Sequence, residues 1–209
     1  MRGFFGGRGW VGNILIITIM KYNQEKHHRR STRLKGFDYS QPGIYFLTIC
    51  TYGHVCIFGK INGNKMVLNE FGKIVETEWK KTQRIRDNIQ LDAYIIMPDH
   101  VHGIIRITDG CVGAHCNVPL QHGNVSPQTE QFGKSTRNSI PTIIKLFKST
   151  ATRQINQSRN TPGLPVWQRN YFDHVIRNEE ELYRIRQYIR NNPVNWRFSG
   201  SQDFHINKI

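Results

Sequence analysis

The sequence has no apolar run long enough to cross a bilayer. Its longest candidate, residues 14–20, is far shorter than the roughly 20 residues that a membrane-spanning helix needs. The N-terminus also lacks a small-residue cleavage site of the Ala-x-Ala kind, which disfavours a signal peptide. Hydrophobic residues make up 38% of the chain and aromatic residues 11%, too many for a disordered protein. These features predict a globular protein of the cytoplasm.

Cysteine is scarce and its spacing is not that of a metal-binding domain. The four cysteines are Cys50, Cys56, Cys111 and Cys116, with no Cys-x-x-Cys pair and no zinc-finger spacing. We interpret them as reduced thiols of a cytosolic protein. Cys111 and Cys116 lie close to His115 and could form a metal cluster, but this Gly-containing polar stretch favours a loop instead.

Two common catalytic motifs are missing. The sequence has no Gly-x-x-x-x-Gly-Lys-[Ser/Thr], so it carries no phosphate-binding loop of the ATPase type. It also has no His-Glu-x-x-His, which argues against a metal hydrolase that acts on a small substrate.

Acidic residues are few, with 15 Asp and Glu against 29 Lys and Arg, for a net charge of +14. Such an excess favours a polyanionic partner, nucleic acid first and an anionic membrane surface second. A soluble protein that is merely basic is the alternative. Residues 20–42 form a basic N-terminal arm, in which Arg29, Arg30 and Arg33 are candidate phosphate contacts. The other interpretation of this arm is a solvated tail.

The first 19 residues are unlike the rest, being Gly-rich and then apolar. A basic segment of ordinary composition begins immediately at Met20. We therefore expect residues 1–19 to be a disordered, non-native extension and Met20 to be the natural start.

The remaining pattern predicts a compact α+β domain over residues 43–197, with a tail at 198–209. Period-2 and period-3.6 patterns and their capping residues predict the following elements in order: a strand at 43–52, a hairpin at 55–61 and 66–68, a helix at 69–85, strands at 90–97 and 101–108, a helix at 139–156, a strand at 172–176, and a helix that Asn178 caps and Pro193 ends. This order predicts a ferredoxin-like, split βαβ fold. Its antiparallel sheet would carry helices on one face, plus an added C-terminal helix. Residues 110–138 are predicted to be an inserted surface loop.

A pair of histidines lies within the stretch "IIMPDHVHGIIRI" (residues 95–107). Residues two apart in a strand point to the same face, so His100 and His102 are predicted to project side by side. Two neutral imidazoles on one face can bind a divalent cation. The alternative is one packed and one exposed histidine. Asp99 could add a ligand or handle a proton, or could simply be a turn residue.

The last predicted helix offers a nucleophile and a further ligand. Tyr188 and Asn192 are four residues apart and therefore neighbours on the helix surface. The Asn192 amide oxygen suits Mg²⁺ or Mn²⁺, and the Tyr188 hydroxyl could attack a phosphate that the cation makes more electrophilic. Tyr188 could instead be a packing residue with its hydroxyl in water. Tyr171 is a rival nucleophile, and Glu181 is either a further acid or part of the helix cap.

These motifs together resemble the HUH single-tyrosine transposases. The stretch "IIMPDHVHGIIRI" matches the His-hydrophobic-His signature at His100 and His102. The stretch "YFDHVIRNEEELYRIRQYIRNNPVNW" places the family's Tyr-x-x-x-Asn at Tyr188 and Asn192. The REP-associated tyrosine transposases, relatives of the insertion-sequence-200-type transposases, are the most similar group. The resemblance covers about residues 21–196, without the loop at 110–138.

The resemblance implies an HUH endonuclease core and a metal-dependent reaction on single-stranded DNA. In this family the enzyme cuts beside a DNA hairpin, the tyrosine becomes linked to the 5′ phosphate, and a free 3′-OH remains. Tyr188 would be catalytic, and His100, His102 and Asn192 would bind Mg²⁺ or Mn²⁺. Charge and position add candidate DNA contacts at Lys145, Lys148, Arg153 and Arg169. A hairpin-binding protein that no longer cuts is the alternative, and the sequence does not choose between a monomer and a homodimer.

Overall fold

The computed structural model describes residues 37–109, 136 and 138–196. It contains these elements in chain order: β1 Gly43–Cys50, β2 Gly59–Asn62, β3 Lys65–Leu68, α1 Glu70–Arg84, β4 Ile89–Ile96, β5 His100–Ile107, α2 Ile140–Ser158, β6 Phe172–Ile176 and α3 Glu179–Asn195. The predicted extension at 1–19, most of the basic arm, nearly all of the loop at 110–138 and the tail at 198–209 lie outside the described residues. The predicted domain boundaries stay predictions.

Four strands form one sheet in the order β4-β5-β1-β6, and every neighbouring pair is antiparallel. β1 and β4 flank β5, so α1 connects two strands that are not neighbours, which is the split βαβ arrangement. The predicted ferredoxin-like α+β fold is therefore confirmed. β2 and β3 form a separate two-stranded hairpin.

The sheet buries different residues on its two faces because neighbouring residues of a strand point in opposite directions. Tyr45, Leu47 and Ile49 of β1 pack into the larger core with α1 and α2. Ile44 and Phe46 of the same strand pack into a second cluster with α3. Two helices thus cover one face, as predicted, and the C-terminal helix covers the other.

One glycine fixes how closely α1 approaches the sheet. Gly103 of β5 lies under the indole of Trp79, and a Cβ at this position would be 2.3 Å from Trp79 Cζ2. Trp79 itself is fully buried. Gly103 therefore leaves space for the indole of Trp79. Its neighbour along the strand, His102, points to the opposite face of the sheet.

The three predicted helix caps, Asn69, Ser139 and Asn178, all lie at N-cap positions. Asn69 and Asn178 accept backbone hydrogen bonds that begin α1 and α3, from Gly72 N at 3.0 Å and Glu181 N at 2.8 Å. Ser139 is the N-cap residue of α2, but its hydroxyl bonds Thr136 O at 3.0 Å and makes no capping bond.

Three predicted boundaries were wrong. β1 ends at Cys50, because a 3₁₀ turn at Tyr52–His54 follows it, and β2 begins only at Gly59. Pro193 does not end α3, which continues to Asn195. A proline so near the end of a helix removes only one backbone hydrogen bond, the one to the carbonyl of Ile189, and Pro193 itself is buried.

Candidate active site

His100 and His102 lie side by side on the face of β5 that α3 covers. Both residues are fully buried, and their ring centroids are 4.5 Å apart. Val101 between them points to the opposite face and joins the larger core. The prediction that both imidazoles share one face is therefore confirmed.

A hydrogen bond to Nδ1 orients each imidazole. Nδ1 of His100 is 2.6 Å from Asp99 Oδ1, and Nδ1 of His102 is 2.9 Å from the hydroxyl of Thr48. Thr48 lies directly opposite His102 in the register of β1 and β5. In both rings Nε2 is thus the nitrogen that would bind a metal, the usual arrangement for a ligating histidine.

The electrostatics of the pair suit metal binding. Burial, together with the neighbouring His100, lowers the pKa of His102 well below its ordinary value, so this imidazole is neutral near pH 7. Burial alone would raise the pKa of Asp99, but the hydrogen bond with His100 outweighs that effect, and the net pKa is lowered. Asp99 is therefore an ionised carboxylate beside His100.

Helix α3 brings Tyr188 to the histidines. Leu182, Ile185 and Ile189 bury one side of the helix in the second cluster, and Tyr188 packs at its edge. The Tyr188 hydroxyl is 3.3 Å from His102 Nε2. Burial raises the pKa of Tyr188, and a hydrogen bond with Asn192 opposes that rise. Tyr188 and Asn192 are thus neighbours, as predicted.

The donor set is consistent with a divalent cation. Nowhere in the described part of the chain do three or more His, Cys, Asp or Glu side chains group as a metal site. Protein ligands would be the two imidazoles and the Asn192 amide, with water or a phosphate supplying the remaining oxygens, as is common for Mg²⁺ and Mn²⁺. Metal binding by His100, His102 and Asn192 stays a prediction.

The rival tyrosine lies elsewhere. Tyr171 packs against the larger core, on the face of the sheet opposite the histidines. The Lys148 ammonium lies 5.6 Å from the centre of its ring. Glu181, the other open candidate, bonds Nε2 of His174 at 2.7 Å and the backbone N–H of Arg177 at 2.8 Å, so it stabilises the start of α3.

The candidate DNA contacts separate into groups. Lys148, Arg153 and Arg169 line one open groove between α2 and the segment 163–169. Lys145 is exposed on α2 and is not part of this groove. Arg29, Arg30 and Arg33 lie outside the described residues.

Lys148 has a structural task within that groove. Its ammonium donates to three backbone carbonyls, those of Gln168 and Asn170 at 2.9 Å and that of Arg169 at 3.4 Å. The cation thus holds the segment that leads into β6, which makes Arg153 and Arg169 the better candidates for a phosphate. All these DNA-binding roles stay predictions.

Sequence reasoning missed three residues around the histidines. Thr48 supports His102, His54 lies next to Asp99, and Gln168 contacts His54. Thr48 could have been found only from the register of β1 on β5. His54 and Gln168 carry no periodic signal and meet across 114 positions of the chain.

The described helices include none that is long and apolar enough to cross a membrane.

Comparison with known proteins identifies two relatives in Haemophilus influenzae. One, an uncharacterized protein, is 40% identical over 177 residues, which are 84% of this chain and 94% of the relative. The other, named "Putative REP-associated tyrosine transposase", is 22% identical over 157 residues, which are 75% of this chain and 73% of the relative. No protein-family model matches the chain.

Among solved structures, the chain is similar to a REP-associated tyrosine transposase bound to a REP hairpin. The match has 18% identity and a TM-score of 0.46, and it covers 80% of this chain and 73% of that one. Because this TM-score is low, the fold assignment rests on the strand order of this chain and not on the match. The chain belongs to one family with the 40%-identical Haemophilus protein, and its similarity to the REP-associated tyrosine transposases, predicted from its motifs, is confirmed.

Proposed function

We propose that this protein is a transposase-type endonuclease and strand transferase that cuts single-stranded DNA beside a hairpin. The observation that carries the proposal is the 3.3 Å contact between the Tyr188 hydroxyl and His102 Nε2, with His100 beside them and Asn192 next to Tyr188 on α3. A nucleophile, a pair of oriented imidazoles and an amide oxygen are what a metal-assisted phosphoryl transfer requires.

The reaction exchanges one ester bond for another. The Tyr188 oxygen attacks the phosphorus and forms an O–P bond, the phenol proton passes to water, and the P–O3′ bond breaks to leave a protonated 3′-OH. The 5′ phosphate stays on the tyrosine, and attack by a 3′-OH later reverses the step. The phosphotyrosine ester conserves the energy of the phosphodiester bond that is broken, so the reaction needs no ATP. This is consistent with the missing phosphate-binding loop.

Each residue of the site has a proposed role in this step. His100, His102 and Asn192 would hold Mg²⁺ or Mn²⁺, which when bound would withdraw charge from the phosphate and stabilise the transition state. Asn192 also favours the ionised form of Tyr188 through its hydrogen bond. Nε2 of His102 has one lone pair, which can accept a hydrogen bond from the Tyr188 hydroxyl or bind a metal, but not both. The contact with the phenol therefore belongs to the metal-free protein.

The DNA partner is proposed from charge and similarity. A net charge of +14 would attract a nucleic-acid backbone, and Arg153 and Arg169 lie in one groove where they could contact phosphates. A REP-associated tyrosine transposase is known bound to a REP hairpin, and we propose a hairpin-forming repeat as the target here. The site residues all belong to one chain, so we propose that a monomer suffices. A cytoplasmic location would fit these roles.

A cutting assay with DNA labelled at either end tests this proposal. Hairpin DNA from the repeats that flank the gene would be incubated with the protein in Mn²⁺ or in EDTA. With Mn²⁺, the 3′-labelled fragment should become attached to protein and the 5′-labelled fragment should be released with a free 3′-OH. EDTA and His100→Ala should each prevent both changes, whereas His174→Ala, a histidine elsewhere, should not.

Two results would contradict the proposal in different ways. Tight hairpin binding with neither label cut would indicate the alternative, a binding protein without nuclease activity. Attachment of protein to the 5′-labelled fragment would mean that the polarity of the reaction is wrong.

A further inference from the structure

A third histidine lies next to the pair. His54, in the turn after β1, has its Nδ1 3.7 Å from Asp99 Oδ2. The other carboxylate oxygen, Oδ1, is 2.6 Å from His100 Nδ1. Asp99 thus lies between two imidazoles, hydrogen-bonded to His100 and in looser contact with His54, and only His100 belongs to the proposed metal site.

The tautomer of His54 follows from its second contact. Its Nε2 is 2.8 Å from the side-chain amide nitrogen of Gln168. An amide nitrogen only donates, so Nε2 of His54 must accept. The proton of the neutral imidazole then lies on Nδ1, the nitrogen that faces Asp99.

The backbone at His54 adopts a conformation that non-glycine residues rarely use. His54 has a φ of 55° and follows Gly53, whose φ is 64°. Strained backbone of this kind persists where the surroundings hold it, and it is common at functional sites. The positive φ at His54 thus marks a constrained turn next to Asp99.

One backbone hydrogen bond joins this turn to Asp99, and a second closes the turn on itself. Thr51 N donates to the backbone carbonyl of Asp99 at 2.8 Å, and the Thr51 hydroxyl donates to Val55 O at 2.9 Å. Gln168 is fixed separately, because its backbone N–H donates to Cys50 O at 2.9 Å. Gln168 is therefore anchored on the end of β1, and the turn that carries His54 is anchored on Asp99.

We propose that Gln168, His54 and Asp99 form a chain of contacts that holds His100 with its proton on Nδ1 and its Nε2 ready to bind a divalent cation. Asp99, His54 and Gln168 are positioning residues, since none of them would touch the DNA phosphate. Carboxylates that support ligating histidines commonly tune metal affinity in this way. The inference rests on the proposed function for the divalent cation that His100 would bind.

The first test needs neither metal nor DNA. Nitrogen-15 NMR of the metal-free protein reports which nitrogen of His100 carries the proton. His54→Gly removes the imidazole and tolerates the positive φ, whereas His54→Asn keeps an N–H at the position of Nδ1 and also tolerates that φ. His100 should have its proton on Nδ1 in the wild type and in His54→Asn, and should become a mixture of tautomers in His54→Gly.

The second test measures the dissociation constant of Mn²⁺ by electron paramagnetic resonance. Asp99→Asn should weaken binding about 10- to 100-fold, the range typical of such supporting residues. His54→Gly and Gln168→Ala should weaken it less, by about 3- to 10-fold, because they act through Asp99. His174→Ala, which breaks a different histidine–carboxylate pair, should leave it unchanged.

The outcomes separate this inference from the proposed function. An unchanged His100 tautomer and an unchanged Mn²⁺ affinity in both His54→Gly and Gln168→Ala would overturn the inference, even if the protein cuts DNA. A wild-type protein that cuts no DNA, while these variants still shift the tautomer and the affinity, would overturn only the proposed function. A wild type that binds no Mn²⁺ would overturn both.

Discussion

At the scale of single residues, the site depends on opposing effects at Tyr188. Burial disfavours the phenolate and raises the pKa of Tyr188, while the hydrogen bond with Asn192 stabilises the phenolate and lowers it. The balance leaves the pKa above its ordinary value, so the free hydroxyl is a weak nucleophile near pH 7. We therefore expect a bound cation and Asn192 to be needed together for attack.

Replacing Asn192 tests this balance directly. Asn192→Ala should raise the pKa of Tyr188 further, by up to about 1 unit, because the phenolate loses a hydrogen bond while its burial remains. Carbon-13 NMR of labelled tyrosine during a pH titration would measure the shift in the metal-free protein. The exposed neighbour Asn191 provides a matched control, and a Tyr188 pKa that moves equally in Asn191→Ala would contradict the assignment.

At the scale of secondary structure, the position of His102 depends on close packing across β5. Its neighbour Gly103 faces Trp79, and an added Cβ would be 2.3 Å from Trp79 Cζ2 and 2.9 Å from Cη2. Two bonded ring atoms cannot both move aside without shifting α1. The strand that carries the histidines and the helix behind it are therefore fixed together.

Gly103→Ala should destabilise the fold by about 1–3 kcal/mol, the usual cost of overpacking a core. Urea unfolding measures this change in the free energy of unfolding. Gly43→Ala on β1 is the control, since its Cβ would be 3.4 Å from Tyr45 and should cost much less. Equal stability of the wild type and Gly103→Ala would contradict the packing described here.

Helix α3 is attached to the sheet by an ion pair as well as by its apolar side. Arg186 donates to both carboxylate oxygens of Asp92 on β4, at 2.8 and 2.6 Å. The hydrogen bond from Arg186 also lowers the pKa of Asp92. Tyr188 is only two residues from Arg186, so this pair fixes the helix close to the nucleophile.

A double-mutant cycle with Arg186→Ala and Asp92→Ala should give a coupling energy of about 1 kcal/mol, because the pair is bidentate but partly exposed to solvent. Urea unfolding of the wild type, the two single variants and the double variant would measure this coupling energy. The pair should weaken in high salt. Additive effects of the two single substitutions would show that the ion pair does not hold α3.

At the scale of the whole molecule, the buried imidazole of His102 makes stability depend on pH. Its pKa is well below its ordinary value in the folded protein, whereas it returns to about 6.5 on unfolding. The unfolded chain therefore binds more protons below pH 6.5, and protonation favours unfolding. The stability associated with a neutral His102 is complete above that pH and is lost as the pH falls toward the folded-state pKa.

The free energy of unfolding should thus fall below pH 6.5 by up to about 1.4 kcal/mol per pH unit for this one group. His102→Gln should reduce the slope by that amount. Urea unfolding at a series of pH values measures the slope. A slope that is the same in His102→Gln and the wild type would contradict the burial of a neutral imidazole.

The elements that sequence predicted well are those that depend on local periodicity. The period of 2 along β5 placed His100 and His102 on one face, and the period of 3.6 along α3 made Tyr188 and Asn192 neighbours. Pro193 was wrongly predicted to end the helix, because a rule for helix interiors was applied to a last turn. The face of the sheet that α3 covers follows from packing, which periodicity within α3 does not determine.

Contacts between distant segments could not be predicted. His54 and Gln168 meet through a turn with positive φ and a loop that Lys148 holds. Neither segment has a repeating pattern, and neither contact follows from a capping rule. The supporting groups of the site are thus determined by the tertiary structure, while the residues proposed for the chemistry stand out in the sequence.

The most direct test of the central claim is to identify the amino acid that becomes joined to DNA. The protein would react with hairpin DNA and Mn²⁺, followed by nuclease trimming, trypsin digestion and mass spectrometry. Tyr188 lies in the tryptic peptide 187–190 and Tyr171 in the peptide 170–177. The account predicts a nucleotide phosphate on peptide 187–190, absent from Tyr188→Phe and retained in Tyr171→Phe. The same modification on peptide 170–177 would contradict the assignment of Tyr188 as the nucleophile.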